Sequence, residues 1–223
     1  LLMSFILIFA IQQLAGQALY KVSDDEKIQQ SSLIIEGKVI KQTAFWNPSH
    51  TMIFTSNKIE VYKSFKGINV PGFIEILTQG GAIGTESVTV SDLLEIHPGD
   101  IGVFFCFPNN INLKPLSSDN ILYDVYSSSQ GFLKYDITTL SANAPFVRIK
   151  NIEDELYKKI VEKTGHRFSE VKKFDIKKLN VSANRLNVVN ITSFTPAIVK
   201  AGATLDPSNN LLTINGTGFG TAS

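Results

Sequence analysis

The sequence predicts a mainly β protein: a small barrel or sandwich with one docked helix, then the opening strands of a second β unit. Three observations carry this. Seven short segments with strand patterning fall between residues 31 and 137, separated mostly by turn signals. A single later stretch shows the period of an amphipathic helix. Apolar residues make up 43% and charged residues 18%, with 15 phenylalanines, a globular composition rich enough in rings to fill a β core.

Each element follows from its residues. Apart from Ser4, the first eleven residues, LLMSFILIFAI, are apolar. That run has the length of a signal-peptide core and falls short of the about 20 apolar residues that span a bilayer. Gly16-Gln17-Ala18 has the small-x-small cleavage pattern, so residues 1–18 are expected to be a leader cut between Ala18 and Leu19. Gln17 stands where a lipoprotein needs a cysteine thiol, so no lipid anchor is expected. The chain begins without an initiator methionine and stops at Ser223, and is expected to continue beyond both ends.

Residues 19–30 hold a short helix in which Ser23 and Glu26 have capping-box spacing. Strands are expected at 33–41, 52–65 and 73–78, with Gly80, Gly81 and Gly84 marking a tight connection. A fourth is expected at 87–93, followed by a His97-Pro98-Gly99-Asp100 turn. Residues 101–107, IGVFFCF, form an unbroken apolar run and should be a central strand buried on both faces. Strands at 121–127 and 131–136 complete the barrel region, 31–137.

Region 138–190 holds the one long helix and a basic linker. The helix, about 152–164, takes Asn151 as its cap and carries Glu153, Asp154 and Glu155 at the positive end of its dipole. Ile152, Leu156, Tyr157, Ile160 and Val161 share one face, and Gly165 is a natural stop. From residue 168 the chain is polar and basic. At Ile191 a new pattern begins that two strands separated by a loop would explain.

This last segment, 191–223, resembles the opening of the IPT/TIG family of immunoglobulin-like domains. The resemblance rests on S-F-T-P at 193–196, A-G at 201–202 and L-T-I-N-G-T-G-F-G at 212–220. Pro196 would end an edge strand, and Gly216, Gly218 and Gly220 would allow a tight crossing. The barrel region looks like a domain found at the N-termini of secreted bacterial proteins. Its motifs are G-K-V at 37–39, Phe45-Trp46, H-T-x-I-x-T at 50–55, V-Y-K-x-F-K-G at 61–67, I-x-x-L-T-Q-G-G at 74–81 and G-D-x-G-V-F-F at 99–105. Architecturally it is similar to the OB-like barrels of netrin and metalloproteinase-inhibitor modules. The two resemblances together imply a small OB-like β-barrel with a docked helix, followed by an incomplete immunoglobulin-like sandwich. In proteins of this layout, IPT/TIG domains often precede a catalytic domain, sometimes a matrixin-type zinc protease, and a C-terminal sorting domain.

The chemistry-bearing residues are sparse. Formal net charge is +1, too small for a global field that attracts nucleic acid or an anionic membrane. The three histidines, His50, His97 and His166, lack metal-ligand spacing, and no H-E-x-x-H, G-x-S-x-G, Walker or EF-hand pattern occurs. Cys106, the lone cysteine, lies between Phe105 and Phe107 in the most apolar strand, where thiols are inert; turned outward, it could instead serve as a zinc-capping switch. Between 158 and 178 stand eight basic residues against three acidic ones, a solvated helix face plus linker or a site for an acidic polysaccharide. Phe45, Trp46, Tyr62, Tyr123 and Tyr126 could line a sugar-binding face or simply pack.

The expectation is therefore a non-catalytic accessory region of a secreted or cell-surface bacterial protein, with no cofactor and no metal. Its partners would be downstream domains of the same chain and a polysaccharide or protein at the cell surface. Nucleic-acid binding and stable membrane insertion after leader removal are not expected. The alternatives are the pro-region or inhibitory module of a secreted zinc metalloprotease, and a carbohydrate-binding module.

Overall fold

A computed structural model describes residues 20–91, 93–111 and 121–179, and the backbone of 190–195 and 213–217. The expected leader, its cleavage point at Ala18 and Leu19, and Pro196, Gly218 and Gly220 lie outside the described residues. The protein is mainly β.

Helix α1 (Asp24–Gln30) leads in, and Ser23 Oγ accepts the Glu26 amide at 3.1 Å as the capping pattern requires. The reciprocal half of the capping box is not made. Glu26 instead accepts the Tyr126 hydroxyl at 2.9 Å, because docking α1 on the sheet offers a better partner than its own cap. Strands β1 (Leu33–Trp46) and β2 (Ile53–Lys66) form a long antiparallel hairpin, and β3 (Phe73–Gln79) pairs with the far edge of β2. β4 (Gly81–Ile83) and β5 (Glu86–Val88) make a small separate hairpin. β6 (Ile101–Pro108) follows the His97–Asp100 turn, and β7 (Leu122–Val125) lies antiparallel to β6 and parallel to β3. β1 also pairs with β6, so the path β1-β2-β3-β7-β6 closes on itself. β8 (Phe132–Asp136), β9 (Ser141–Ala144) and β10 (Val147–Ile149) extend the sheet outward from β6.

Alternation along the ring strands produces two apolar layers. Leu33, Ile35, Val61, Ile74, Ile76, Phe104 and Cys106 point into the ring. Ile34, Phe65, Val103 and Phe105 point outward, where Leu133, Ile152, Leu156 and Ile160 cover them. β6 is thus buried on both faces, as its unbroken apolar run predicts. Gly102 permits the crowding, since a Cβ there would meet the Leu133 carbonyl oxygen at 2.2 Å.

The long helix begins at Asn151, whose Oδ1 accepts from the Glu153 and Asp154 amides at 3.1 and 3.0 Å. Its first stretch, Ile152–Tyr157, is wound as a wider π-type turn before regular helix α2 (Lys158–Thr164). The wider turn lets both Leu156 and Tyr157 face the sheet. Gly165 ends the helix at φ 77°.

Four expectations change. The first strand runs on to Trp46, because the hairpin with β2 carries the polar residues that follow Lys41. The strand expected at 87–93 shrinks to Glu86–Val88. β9 and β10 add to the expected set; turns interrupt their short apolar content, which leaves no strand pattern to read. The basic linker is, through residue 179, a packed part of the body. Its residues Ser169–Glu170 form β11 against β2, Ile176 is buried, and residues 176–179 make a helical turn. β12 (Asn190–Thr195) and β13 (Thr213–Thr217) form a two-stranded antiparallel sheet of their own.

Candidate functional site

The most unusual side chains are charged and buried. Glu36 on β1 and Lys63 on β2 face each other across the hairpin, Glu36 with no exposed surface. Both fall on the outward side of the ring, under the helix layer. Lys63 Nζ donates to Glu36 Oε2 at 2.5 Å, to the Phe174 carbonyl at 3.4 Å and to the Tyr157 hydroxyl at 3.5 Å. Glu36 Oε1 accepts from the Tyr135 hydroxyl at 2.9 Å and from the Tyr157 hydroxyl. The rings of Tyr157, Phe174 and Phe168 stand 5.2, 5.3 and 5.7 Å from Nζ. Burial first, then the Glu36 charge, pushes the Tyr135 and Tyr157 hydroxyls well above the ordinary phenol range.

Four residues from four separate elements meet here, and each polar atom has a partner. A carboxylate that accepts three donors has little capacity left for substrate. None of the four side chains lines any of the three grooves described below. The arrangement can hold β1, β2, β8 and the helix together as a lock. In the sequence Glu36 and Lys63 read as the solvent-facing residues of half-exposed strands, which conceals the lock. The available signal is one charge of each sign, on adjacent strands, at positions that the hairpin register brings face to face.

The five aromatics that could line a ligand face are dispersed. Phe45 stacks on Phe54 at 6.3 Å and Trp46 on His50 at 5.9 Å, both near the turn of the β1–β2 hairpin. Tyr62, at the other end of β2, lies flat on Phe174 at 4.1 Å. Tyr126 meets Phe107 edge-on at 6.4 Å and donates to Glu26. Tyr123 lines a groove of about 390 Å³ with Leu33, Val70, Phe73 and Ile121 at one end of the ring. No two of the five rings are in contact with each other.

Two further grooves lie beside β3, the second of them bounded by the β4–β5 hairpin. One, about 260 Å³, opens between β3 and β7, which pair over only two residues; Phe54, Leu77, Phe107 and Val125 line it. The other, about 660 Å³, has β1, β2 and β3 as its floor and residues 87–91 and 93–97 as its far wall. Its polar floor is engaged internally: Thr55 Oγ1 donates to the Gly80 carbonyl at 2.7 Å, and Gln42 Nε2 donates to Asn57 Oδ1 and the Ile96 carbonyl at 2.8 and 2.6 Å. His97 sits on its rim, 3.3 Å from Glu95.

Cys106 is sealed inside the ring with no exposed surface, and burial pushes its thiol far above the ordinary range. Among the described residues no three His, Cys, Asp or Glu side chains are placed to hold a metal ion, and no helix is long and apolar enough to cross a membrane. The basic stretch is largely ion-paired: Lys159 and Lys163 with Asp24 and Asp25, Lys172 with Glu60, and Lys177 with Glu153. It is therefore not an open cationic patch. No family model matches the chain, and no curated protein matches it.

Proposed function

We propose that this chain is a non-catalytic accessory region of an exported bacterial protein, its OB-like barrel acting as a binding or structural module beside downstream domains. The observation that carries this reading is the ring β1-β2-β3-β7-β6, closed by a parallel β3–β7 pair and filled with apolar side chains. That is the arrangement expected of an OB-like barrel, a scaffold whose binding is done by its surface and loops. The antiparallel pairing of Asn190–Thr195 with Thr213–Thr217 supports the start of an IPT/TIG domain. The buried charges support a structural role, since Glu36, Lys63, Tyr135 and Tyr157 are engaged with one another.

The test is export. Expressed in a bacterial host behind a supplied initiator methionine, the chain should leave the cytoplasm and carry Leu19 as its new N-terminus. A chain that stays cytoplasmic, or keeps residues 1–18 in the membrane fraction, would overturn the reading. Turnover of model peptide or glycan substrates by the purified chain would overturn its non-catalytic part.

A further inference from the structure

β3 flanks β2 from Phe54 to Glu60 and stops there. Beyond that point the same edge of β2 is occupied by the residues that come after α2. Ser169 and Glu170 pair with Ser64 and Lys63, and the amides of Val171 and Lys172 both donate to the Tyr62 carbonyl, at 2.8 and 3.0 Å. Tyr62 is the extra residue of a bulge, for Glu36 faces Lys63 while the next β1 residue, Gly37, faces Val61. A bulge disrupts the ladder locally, and here Val171 and Lys172 supply both donors to the Tyr62 carbonyl.

Four side chains of this segment turn inward. Phe168 packs on Phe65 and Tyr157, half-buried Val171 packs against the ring-facing apolar layer, Phe174 lies parallel to the Tyr62 ring at 4.1 Å, and Ile176 is buried. Ser169, Glu170, Lys172, Lys173 and Asp175 are exposed. Lys172 reaches Glu60 at 2.5 Å, and the Phe174 carbonyl meets Lys63 at 3.4 Å. A two-residue ladder with four inward anchors, of which only Ile176 is fully buried, is a less stable unit than the closed ring beside it.

We propose that residues 168–176 are a releasable strap that closes a docking site for an extended peptide segment along β2. The strap itself specifies the chemistry of the occupant. The occupant would add a short strand at Lys63 and Ser64, lay an aromatic ring on Tyr62, and bring a lysine to Glu60. Strand addition to a vacant edge gives affinity through the backbone, and the side-chain positions give selectivity.

The test uses the full chain and the pair of substitutions Phe174→Ala and Lys172→Ala, neither in the buried core. Hydrogen exchange should show the Val171 amide opening roughly two- to tenfold faster, the loss expected for one aromatic stack, with β6 amides unchanged. A synthetic peptide with the sequence of residues 166–178 should then bind the variant, restore protection at Ser64, and bind the wild-type chain more weakly, because there it competes with the strap. Tyr62→Ala added to the variant should abolish that binding. If β6 loses protection together with the strap, the segment belongs to the cooperative core and the proposal fails. It fails equally if the peptide ignores the opened variant, or if it binds the wild type and the variant equally well.

Discussion

Removing Lys63 should cost more than removing the whole ion pair. Lys63→Met leaves the Glu36 carboxylate buried with only the two tyrosine donors, a change of about 3–5 kcal/mol for a broken buried pair. Lys63→Met combined with Glu36→Leu removes both charges and should recover a large part of that loss. Urea denaturation of the two singles and the double decides it; additive losses would mean that the two side chains are not coupled. The tyrosines give a second signature at the same point. Folded, Tyr135 and Tyr157 hold their protons well above the ordinary phenol range, while in the unfolded chain they titrate at about 10. Above that pH the unfolded state releases protons that the folded state keeps. Their contribution is therefore complete below about pH 10 and is lost as pH climbs beyond it. Ultraviolet titration should show these two phenols silent until the protein unfolds, and Tyr157→Phe should leave one fewer phenolate to appear at that step. Ionisation of both in the folded state would contradict their placement.

At the scale of elements, short-range chemistry is written in the sequence and long-range pairing is not. Ser23, Asn151 and Gly165 each perform the terminal role their residue type suggests, because a cap depends on only three or four neighbours. Asn151→Ala should accordingly cost about 1 kcal/mol, measured by thermal or urea unfolding. The apolar run of β6 is equally legible. Which strands flank it is not: its far edge is shared, β8 taking Gly102 to Phe104 and β7 taking Cys106 to Pro108. Gly102 records that crowding. Gly102→Ala would press a methyl onto the Leu133 carbonyl and should destabilise at the upper end of about 1–3 kcal/mol, whereas Gly99→Ala meets open space and is opposed only by the strain of its positive φ of 99°. A milder effect at Gly102 than at Gly99 would show that β8 yields. The Glu36–Lys63 lock is invisible in the sequence for the same reason as the strand order. A charge on an alternating strand is ordinarily outward and wet, and only the helix layer packed over that face turns outward into buried.

For the whole molecule, the folded body should extend to the strap rather than end with the helix. Region 138–190 reads as helix plus linker because lysines dominate it, and the lysines do face water. Its few apolar residues decide the matter: Phe168, Phe174 and Ile176 reach back to β2 and the helix layer, while Glu60, Asp24, Asp25 and Glu153 receive the ammonium groups. Exposed ion pairs are each worth little, so the ring contacts carry most of the attachment. Trypsin at low ratio tests this, because Lys172, Lys173, Lys177 and Lys178 offer closely spaced cleavage sites within the strap and the turn after it. In the wild-type chain the earliest stable fragment should retain Phe174 and Ile176, since cleavage at Lys172 or Lys173 requires the local backbone to leave β2. In the Phe174→Ala chain the same bonds should be cut early, and the stable fragment should then end near Lys172. A wild-type fragment that ends near Arg167 from the first minutes would mean that the segment is a linker after all, and that the barrel and helix are the complete folding unit.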